Sequence, residues 1–206
     1  MEAKELGVTG AFVFTPEVFG DERGLFVSPF QGEAFARSTG RPLFPVSQLS
    51  CSRSREGVAR GVHFTRTPPG TAKYVYCAGG RALDIVVDLR EGSPTFGRSD
   101  TVVLDPVDCR AVYFPVGVGH AFVALEDDTV MAYTLSGGYV PENELALSLF
   151  DPELALPVPE GVRPVVSARD REAPTLAEVR AAGLLPGYEE CRRIEDALTA
   201  TRGAGA

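Results

Sequence analysis

The sequence predicts an all-β fold, a sandwich or a small barrel, and two of its features carry the prediction. Many short runs rich in Val, Ile, Phe and Tyr follow one another, separated by turn residues. The chain holds 22 glycines and 16 prolines among 206 residues, so sharp turns are frequent. Short apolar strands at close spacing are typical of an all-β domain rather than of alternating strands and helices. No repeat, linker or low-complexity tract divides residues 1–206, so one domain is expected.

The predicted strands begin near the N-terminus. Residues 11–14 (AFVF) and 25–30 (LFVSPF) lie on either side of a polar turn, and a short helix is expected at 31–38. The central section then alternates strands with turns that carry Gly, Pro and Asp. Its predicted strands are 58–66, 72–78, 81–89, 101–105, 111–114, 121–125 and 129–136. Seven strands in about 80 residues is the density of a jelly roll or small barrel, which can hold one small ligand at its mouth.

The C-terminal part of the chain has a different character. A Pro-rich extended stretch runs to about residue 165, and Pro174 then introduces a helical pattern. A second helix is expected at about 187–200, so short helices cover about 174–200. The tail at 201–206 is expected to be frayed.

Charge and cysteine content exclude several classes of function. The net charge is −8 and no basic stripe is visible, which argues against a nucleic-acid partner. A few local Arg and Lys residues can still hold an anionic ligand. No apolar run of about 18 residues predicts a membrane span, and the N-terminus lacks an apolar signal core. None of the four cysteines forms a C-x-x-C pair, so a reduced, cytoplasmic setting is expected.

The chain has only two histidines, His63 and His120, each in a strand-like context beside glycine. Arg60 precedes His63 by three residues, and Lys73 follows a Pro-Pro-Gly turn, so a hairpin would bring these groups together. A lone histidine in a strand is more often structural than catalytic. Strict alternation also places Arg60 and His63 on opposite faces, so a bulge or twist would be needed to aim both inward. Spacing alone leaves that point open.

Other chemistries find little support in the residues. Two isolated histidines leave a metal-ligand set short, so no metal is expected. No G-x-S-x-G elbow, G-x-G-x-x-G loop or phosphate-binding P-loop occurs, and no other cofactor is expected. A general acid–base set of His, Tyr, Lys, Arg and carboxylates remains.

Several motifs together resemble the dTDP-4-dehydrorhamnose 3,5-epimerase family over nearly the whole chain. Each motif alone is weak, but nine in the family's order are specific. The resemblance is closest to the actinomycete branch that makes deoxysugars for antibiotics. The matching stretches are FGDERGLF at 19–26, QLSCSRS at 48–54, GVARGVHF at 57–64, KYV at 73–75, DIVVDLR at 84–90, SPTFG at 93–97, PVGVGHAF at 115–122, YTLSGGYVPENE at 133–144 and SARDREAPTL at 167–176.

The resemblance implies a fold, a partner and an activity. The fold would be a cupin jelly roll, usually a homodimer in which an N-terminal strand crosses to the partner. The activity would be epimerisation of a dTDP-4-keto-6-deoxyhexose at C3, C5 or both, without metal or cofactor. The product would enter an antibiotic or a cell-surface glycan.

The resemblance also implies roles for individual residues. His63 matches the family's base, Asp170 the carboxylate paired with it, and Tyr133 the acid. Lys73 and Arg60 match groups around the sugar. The remaining matches are His120 on the substrate side, Arg23, Gln48, Glu144 and Arg169 at the nucleotide or diphosphate, and Tyr139 stacked on thymine with Phe26 nearby.

Some residues depart from the family pattern. Ser50 replaces an Asn of the Q-x-N motif at the substrate, Ser28 replaces a Glu, and Thr134 replaces a Lys beside the acid. Trp is absent. These changes bear on nucleotide recognition and on which carbon is reprotonated. The alternatives are a 3,4-ketoisomerase, a non-catalytic sugar-nucleotide-binding cupin and a metal-dependent cupin oxygenase.

Overall fold

Two antiparallel β-sheets pack face to face in the computed structural model, which describes residues 1–159, 161 and 164–200. The strands are β1 (Glu2–Glu5), β2 (Phe12–Thr15), β3 (Val18–Asp21), β4 (Gly24–Val27), β5 (Gln48–Ser54), β6 (Ala59–Thr65), β7 (Lys73–Gly79), β8 (Ala82–Asp88), β9 (Ser99–Leu104), β10 (Ala111–Phe114), β11 (Val118–Ala124), β12 (Thr129–Leu135) and β13 (Glu144–Ala146). The helices are α1 (Gly32–Thr39), α2 (Ala168–Arg171), α3 (Leu176–Ala181) and α4 (Tyr188–Ala200). The predicted all-β class with short C-terminal helices is confirmed.

The order of the strands is that of a jelly roll. The six-stranded sheet runs β1-β2-β10-β7-β12-β5, and the five-stranded sheet runs β13-β6-β11-β8-β9. Most neighbours are not consecutive in sequence, so the chain crosses repeatedly between the sheets. Strands β5 and β13 are both sheet edges, and both border the site described below.

The core lies between the two sheets and is built from inward-facing apolar side chains. Val75, Phe114 and Met131 come from the six-stranded sheet, and Val86 and Phe122 come from the five-stranded sheet. All five are buried. Burial of such side chains contributes about 1.5–3 kcal/mol each to the stability of the layer that supports the site.

A bulge in β6 explains how the side chains of Arg60 and His63 both reach one cavity. His120 of β11 pairs with His63, and Phe122 pairs with Arg60, so β11 advances two residues while β6 advances three. The extra residue shifts the alternation of β6, and both Arg60 and His63 line the cavity. Gly61 lies inside this bulge with φ +113°, a conformation that favours glycine.

The C-terminal helices are short and individually capped. The Ser167 side chain accepts a hydrogen bond from the Asp170 backbone N–H and so begins α2. Thr175 and Glu178 form a capping box at α3. The predicted helices after Pro174 and near 187 correspond to α3 and α4, whereas α2 was not predicted. The predicted tail at 201–206 lies outside the described residues.

The hairpin of β3 and β4 stands apart from both sheets. Seven of its eight residues are exposed, among them the large apolar side chains Val18, Phe19, Leu25 and Phe26. The prediction of a strand at 25–30 is correct in part, since β4 ends at Val27. Strands β1, β3, β5 and β13 were not predicted.

Candidate active site

A cavity of about 330 Å³ receives side chains from both sheets. Strands β6 and β11 contribute from the five-stranded sheet, and β5, β7 and β12 from the six-stranded sheet. The predicted site residues that line it are Ser50, Arg60, His63, Lys73, His120, Tyr133, Tyr139, Glu144 and Arg169. A cavity of this size suits one small ligand, and several polar side chains of its lining converge on that space.

His63 and Asp170 form a hydrogen-bonded pair at the cavity wall. His63 Nε2 lies 2.6 Å from an Asp170 carboxylate oxygen. Asp170 is 5% exposed, and the Ser167 cap fixes its backbone. Burial alone would raise the pKa of the Asp170 carboxyl, but hydrogen bonds from His63, Ser167 and the Gly61 backbone hold that pKa below its ordinary value. The carboxylate is therefore ionised and can accept a hydrogen bond from His63 Nε2–H, and Nδ1 is the ring nitrogen that does not contact Asp170.

A second histidine–aspartate pair lies deeper in the cavity. His120 Nε2 is 2.5 Å from Asp84 Oδ1, and both residues are buried. Burial lowers the pKa of His120, although the neighbouring Asp84 opposes that effect. His120 therefore stays neutral and donates its Nε2 proton to Asp84. Sequence reasoning had missed Asp84, whose only signal was its position at the start of the DIVVDLR motif.

Tyr133 enters the same cavity from the six-stranded sheet. Its ring centroid lies 5.9 Å from that of His120. Its hydroxyl lies 3.1 Å from Ser52 Oγ. Burial raises the pKa of Tyr133 above its ordinary value, while the hydrogen bond with Ser52 opposes that shift. The phenol is therefore protonated at neutral pH and can act as a proton donor.

Lys73 brings a buried cation to the floor of the cavity. It is 8% exposed, and its Nζ donates to the backbone oxygen of His63 at 3.4 Å. Burial lowers its pKa, while the carboxylates of Glu144 and Asp84 act in the opposite direction. The side chain thus crosses from the six-stranded sheet to the strand that carries His63.

Two arginines add positive charge around the cavity. Arg60 Nε donates to Ser54 Oγ at 3.2 Å. Arg169 donates to the backbone oxygen of Glu144 at 2.8 Å, which ties α2 to β13. The chain as a whole is acidic, so these cations concentrate positive charge where an anionic group could bind.

One rim of the cavity combines an amide with an exposed aromatic ring. Gln48 donates to Ser50 Oγ at 2.8 Å and accepts from the Tyr139 backbone N–H at 2.8 Å. Gln48 therefore supports the lining residues Ser50 and Tyr139. Tyr139 is 61% exposed, which leaves a ring face free for stacking.

The structure does not bring Arg23 and Phe26 into this cavity. Both lie on the β3–β4 hairpin and line a separate surface depression. Arg23 pairs with Asp21 of the same hairpin, and Phe26 is 70% exposed. Thr134, beside the predicted acid, does not line the cavity either, because alternation along β12 turns its side chain away from that of Tyr133.

Within residues 1–159, 161 and 164–200, no group of three or more His, Cys, Asp and Glu side chains could hold a metal ion. In the same part of the chain, no helix has the length and apolar character needed to cross a membrane.

Comparison with known proteins gives consistent matches. Residues 5–178 match the sequence model of the family described as dTDP-4-dehydrorhamnose 3,5-epimerase. A dTDP-4-dehydrorhamnose 3,5-epimerase of Mycobacterium tuberculosis is 45% identical over 196 residues, covering 94% of this chain and 96% of the relative. The crystal structure of NovW, a 4-keto-6-deoxy sugar epimerase from the novobiocin cluster of Streptomyces spheroides, is 46% identical with a TM-score of 0.89, covering 93% and 95%. ChmJ, a 3'-monoepimerase from Streptomyces bikiniensis solved with dTDP-quinovose, is 41% identical with a TM-score of 0.88, covering 94% and 97%.

Proposed function

Because the chain belongs to the dTDP-4-dehydrorhamnose 3,5-epimerase family, we infer that it epimerises a dTDP-linked 4-keto-6-deoxy sugar in deoxysugar biosynthesis. It is an isomerase that inverts C3, C5 or both, the carbons next to the C4 ketone. One observation carries the mechanism: His63 and Tyr133 face a single cavity from opposite sheets. Stacked sheets lie about 10 Å apart, which leaves room for a sugar ring between a base and an acid.

His63 removes the proton in the proposed first step. A C–H bond beside a ketone is weakly acidic because the resulting anion is an enolate. Nδ1 of His63 takes this proton, while Nε2–H remains bonded to Asp170. The ring becomes an imidazolium, and the buried carboxylate stabilises the new positive charge.

Lys73 stabilises the enolate that forms in that step. Its ammonium would lie beside the C4 oxygen, where negative charge grows as the proton leaves. A preorganised donor of this kind contributes about 3–4 kcal/mol to the transition state. His120, held neutral against Asp84, presents its other ring nitrogen to the sugar.

Tyr133 completes the inversion from the opposite face. Its O–H delivers a proton to the carbon, and the C4 ketone re-forms. The phenolate and the imidazolium then exchange protons with solvent, so atoms and charge balance without an added reagent. A sugar carbon is inverted only if it comes to lie between Nδ1 of His63 and the Tyr133 hydroxyl.

The nucleotide holds the sugar in place in this proposal. Arg60 and Arg169 are the cations available to the diphosphate. Gln48, Ser50 and Glu144 lie where polar groups of the nucleotide can bind. The exposed ring of Tyr139 can stack on thymine. These contacts supply proximity rather than chemistry.

Deuterium exchange tests the proposed function directly. The protein is incubated with dTDP-4-keto-6-deoxyglucose in deuterated water, and the C3 and C5 protons are followed by NMR. We expect exchange and inversion at C3, C5 or both, and loss of exchange in His63→Ala. Treatment with EDTA should leave the rate unchanged, as expected for a reaction without metal. Absence of exchange at both carbons in the wild-type protein would overturn the proposal.

We also propose that the chain, one epimerase domain, works as a homodimer in which the β3–β4 hairpin reaches the partner's cavity. Two observations support this: the hairpin exposes an apolar surface rich in Phe, and it carries Arg23 and Phe26 away from the cavity of its own chain. Exposed apolar patches of this kind mark interaction sites. In a two-fold dimer, each hairpin would complete the other subunit's site.

A cytoplasmic location remains a prediction, and the four cysteines are free thiols in the structure.

Mixing two inactive chains tests this arrangement. Arg23→Ala damages a hairpin, and His63→Ala removes a base. If hairpins serve the partner's cavity, each mixed dimer holds one intact site, and equal mixing after unfolding and refolding restores about a quarter of wild-type activity. If each hairpin serves its own cavity, the mixture stays inactive. A monomer in sedimentation analysis would also overturn the dimer proposal.

A further inference from the structure

Strand β5 carries a row of polar side chains on one face, and two of them, Ser50 and Ser52, line the cavity. Gln48, Ser50, Ser52 and Ser54 alternate along the strand, so all four point to the same face. Each of the three hydroxyls contacts a different functional side chain. Ser50 accepts from Gln48, Ser52 contacts Tyr133, and Ser54 accepts from Arg60. The three contacts differ in what they hold, and the one with Tyr133 reaches the reacting group.

The contact between Ser52 and Tyr133 is fixed by the sheet itself. Strands β5 and β12 pair in a regular register, in which Ser52 lies opposite Met131 and diagonal to Tyr133. The two oxygens are 3.1 Å apart, and Ser52 also lines the cavity. Within the described part of the chain, Ser52 is the hydrogen-bond partner of the Tyr133 hydroxyl.

We propose that Ser52 is a positioning residue that holds the Tyr133 hydroxyl in line with the sugar carbon that it reprotonates. The inference rests on the proposed function and assigns a role to a residue that does not itself take part in proton transfer. A tyrosine hydroxyl that lacks a hydrogen-bond partner can rotate its O–H bond away from the sugar ring. A second hydroxyl at hydrogen-bond distance restricts that freedom.

The direction of the hydrogen bond follows from the reaction. Tyr133 can give its proton to carbon only if its own O–H points at the sugar. Ser52 must then donate to the Tyr133 oxygen rather than accept from it. When the proton leaves, the same bond becomes a charge-assisted bond to a phenolate and gains strength. Ser52 thus aims the acid before the transfer and stabilises the anion after it.

The experiment separates deprotonation from inversion in the deuterium assay. Ser52→Ala should lower the rate of inversion about tenfold, the size expected for one lost hydrogen bond to a developing charge. Exchange with retention, in which His63 returns a deuteron to the same face, should stay within about twofold of wild type. Ser52→Thr keeps the hydroxyl and should restore inversion. Ser38→Ala removes a serine hydroxyl from helix α1, far from this strand, and should change neither rate.

A double-substitution cycle identifies the route by which Ser52 acts. If Ser52 works through Tyr133, Ser52→Ala should add nothing to the defect of Tyr133→Phe. Equal loss of exchange and inversion in Ser52→Ala, or a further loss in the double variant, would overturn the inference and leave the proposed function intact. Inversion at the wild-type rate in Ser52→Ala would also overturn it. A wild-type protein that neither exchanges nor inverts would overturn the proposed function and this inference together.

Discussion

Removing the charge of Asp170 is the most direct test of how the proposed base, His63, is held. Asp170→Asn keeps the size of the side chain but removes the carboxylate that accepts the His63 Nε2 proton. The amide could instead donate to Nε2, which would move the ring proton to Nδ1 and block the position that must accept a proton from carbon. Loss of charge and loss of the correct tautomer therefore act in the same direction.

The size of the effect follows from the geometry of the pair. Two unit charges centred about 4 Å apart interact by about 4 kcal/mol at an effective dielectric constant of 20. The His63 side chain is 30% exposed, so solvent screening reduces this to about 2–3 kcal/mol. That energy is gained only when the imidazolium forms, so it belongs to the transition state. At about 1.4 kcal/mol per tenfold, kcat should fall roughly 30- to 150-fold.

The assay is steady-state epimerisation together with deuterium exchange at saturating substrate. We expect kcat and the exchange rate to fall by the same factor, because deprotonation precedes both. KM should change little, since Asp170 does not line the cavity. Asp108→Asn removes an exposed carboxylate that pairs with Arg110 and serves as the matched control. Exchange in Asp170→Asn within threefold of wild type would refute the assignment of this pair.

Three further predictions concern the bulge, the buried cation and acid stability. A Cβ at Gly61 would lie 2.5 Å from the His120 backbone oxygen. Gly61→Ala should therefore lower the free energy of unfolding by about 3 kcal/mol and lower Tm by about 6–12 °C in calorimetry. Because burial lowers the pKa of Lys73, the ammonium loses its proton as pH rises, and kcat should decline before pH reaches the ordinary lysine value of 10.5. The residual activity of Lys73→Arg should lack that decline, because arginine keeps its charge. Burial would raise the pKa of Asp88, but its hydrogen bonds with Arg90 and nearby hydroxyls hold the folded-state pKa below 3.8. The stabilising contribution of Asp88 is complete above that unfolded value and is lost as pH falls through the folded value. The urea midpoint of unfolding should therefore fall less steeply with decreasing pH in Asp88→Asn than in the wild-type protein.

The apolar strands could be predicted from the sequence, whereas the strand that supports the acid could not. Strands such as β8 and β11 consist largely of buried residues with Val, Ile and Phe, and these patterns are unambiguous. Strand β5 reads QLSCSRS, and its inward face carries Gln48 and three serines, of which Ser50 and Ser52 line a cavity rather than a core. Period-two alternation of apolar residues is therefore absent at the position where the site needs hydroxyls. A search for buried apolar faces therefore does not detect a polar edge strand.

Residues that the motifs name share one cavity, whereas the geometry of that cavity could not be derived from the sequence. The motifs identified His63, Tyr133 and Lys73, and all three line one cavity. The bulge at Gly61 could not be derived, because it depends on the register between β6 and β11 rather than on local spacing. Asp84 was missed for the same reason, since its contact with His120 is formed across two strands.

The proposed base and the proposed acid lie on different sheets, and this bears on which carbons are inverted. C3 and C5 flank the ketone, so a base below the ring and a cation at the C4 oxygen can serve either carbon. The acid must reach each carbon that is inverted, and its aim therefore decides the outcome. In the proposed mechanism Tyr133 takes its aim from Ser52, which lies on the edge strand β5. Relatives of similar identity to this chain include both a 3,5-epimerase and a 3'-monoepimerase.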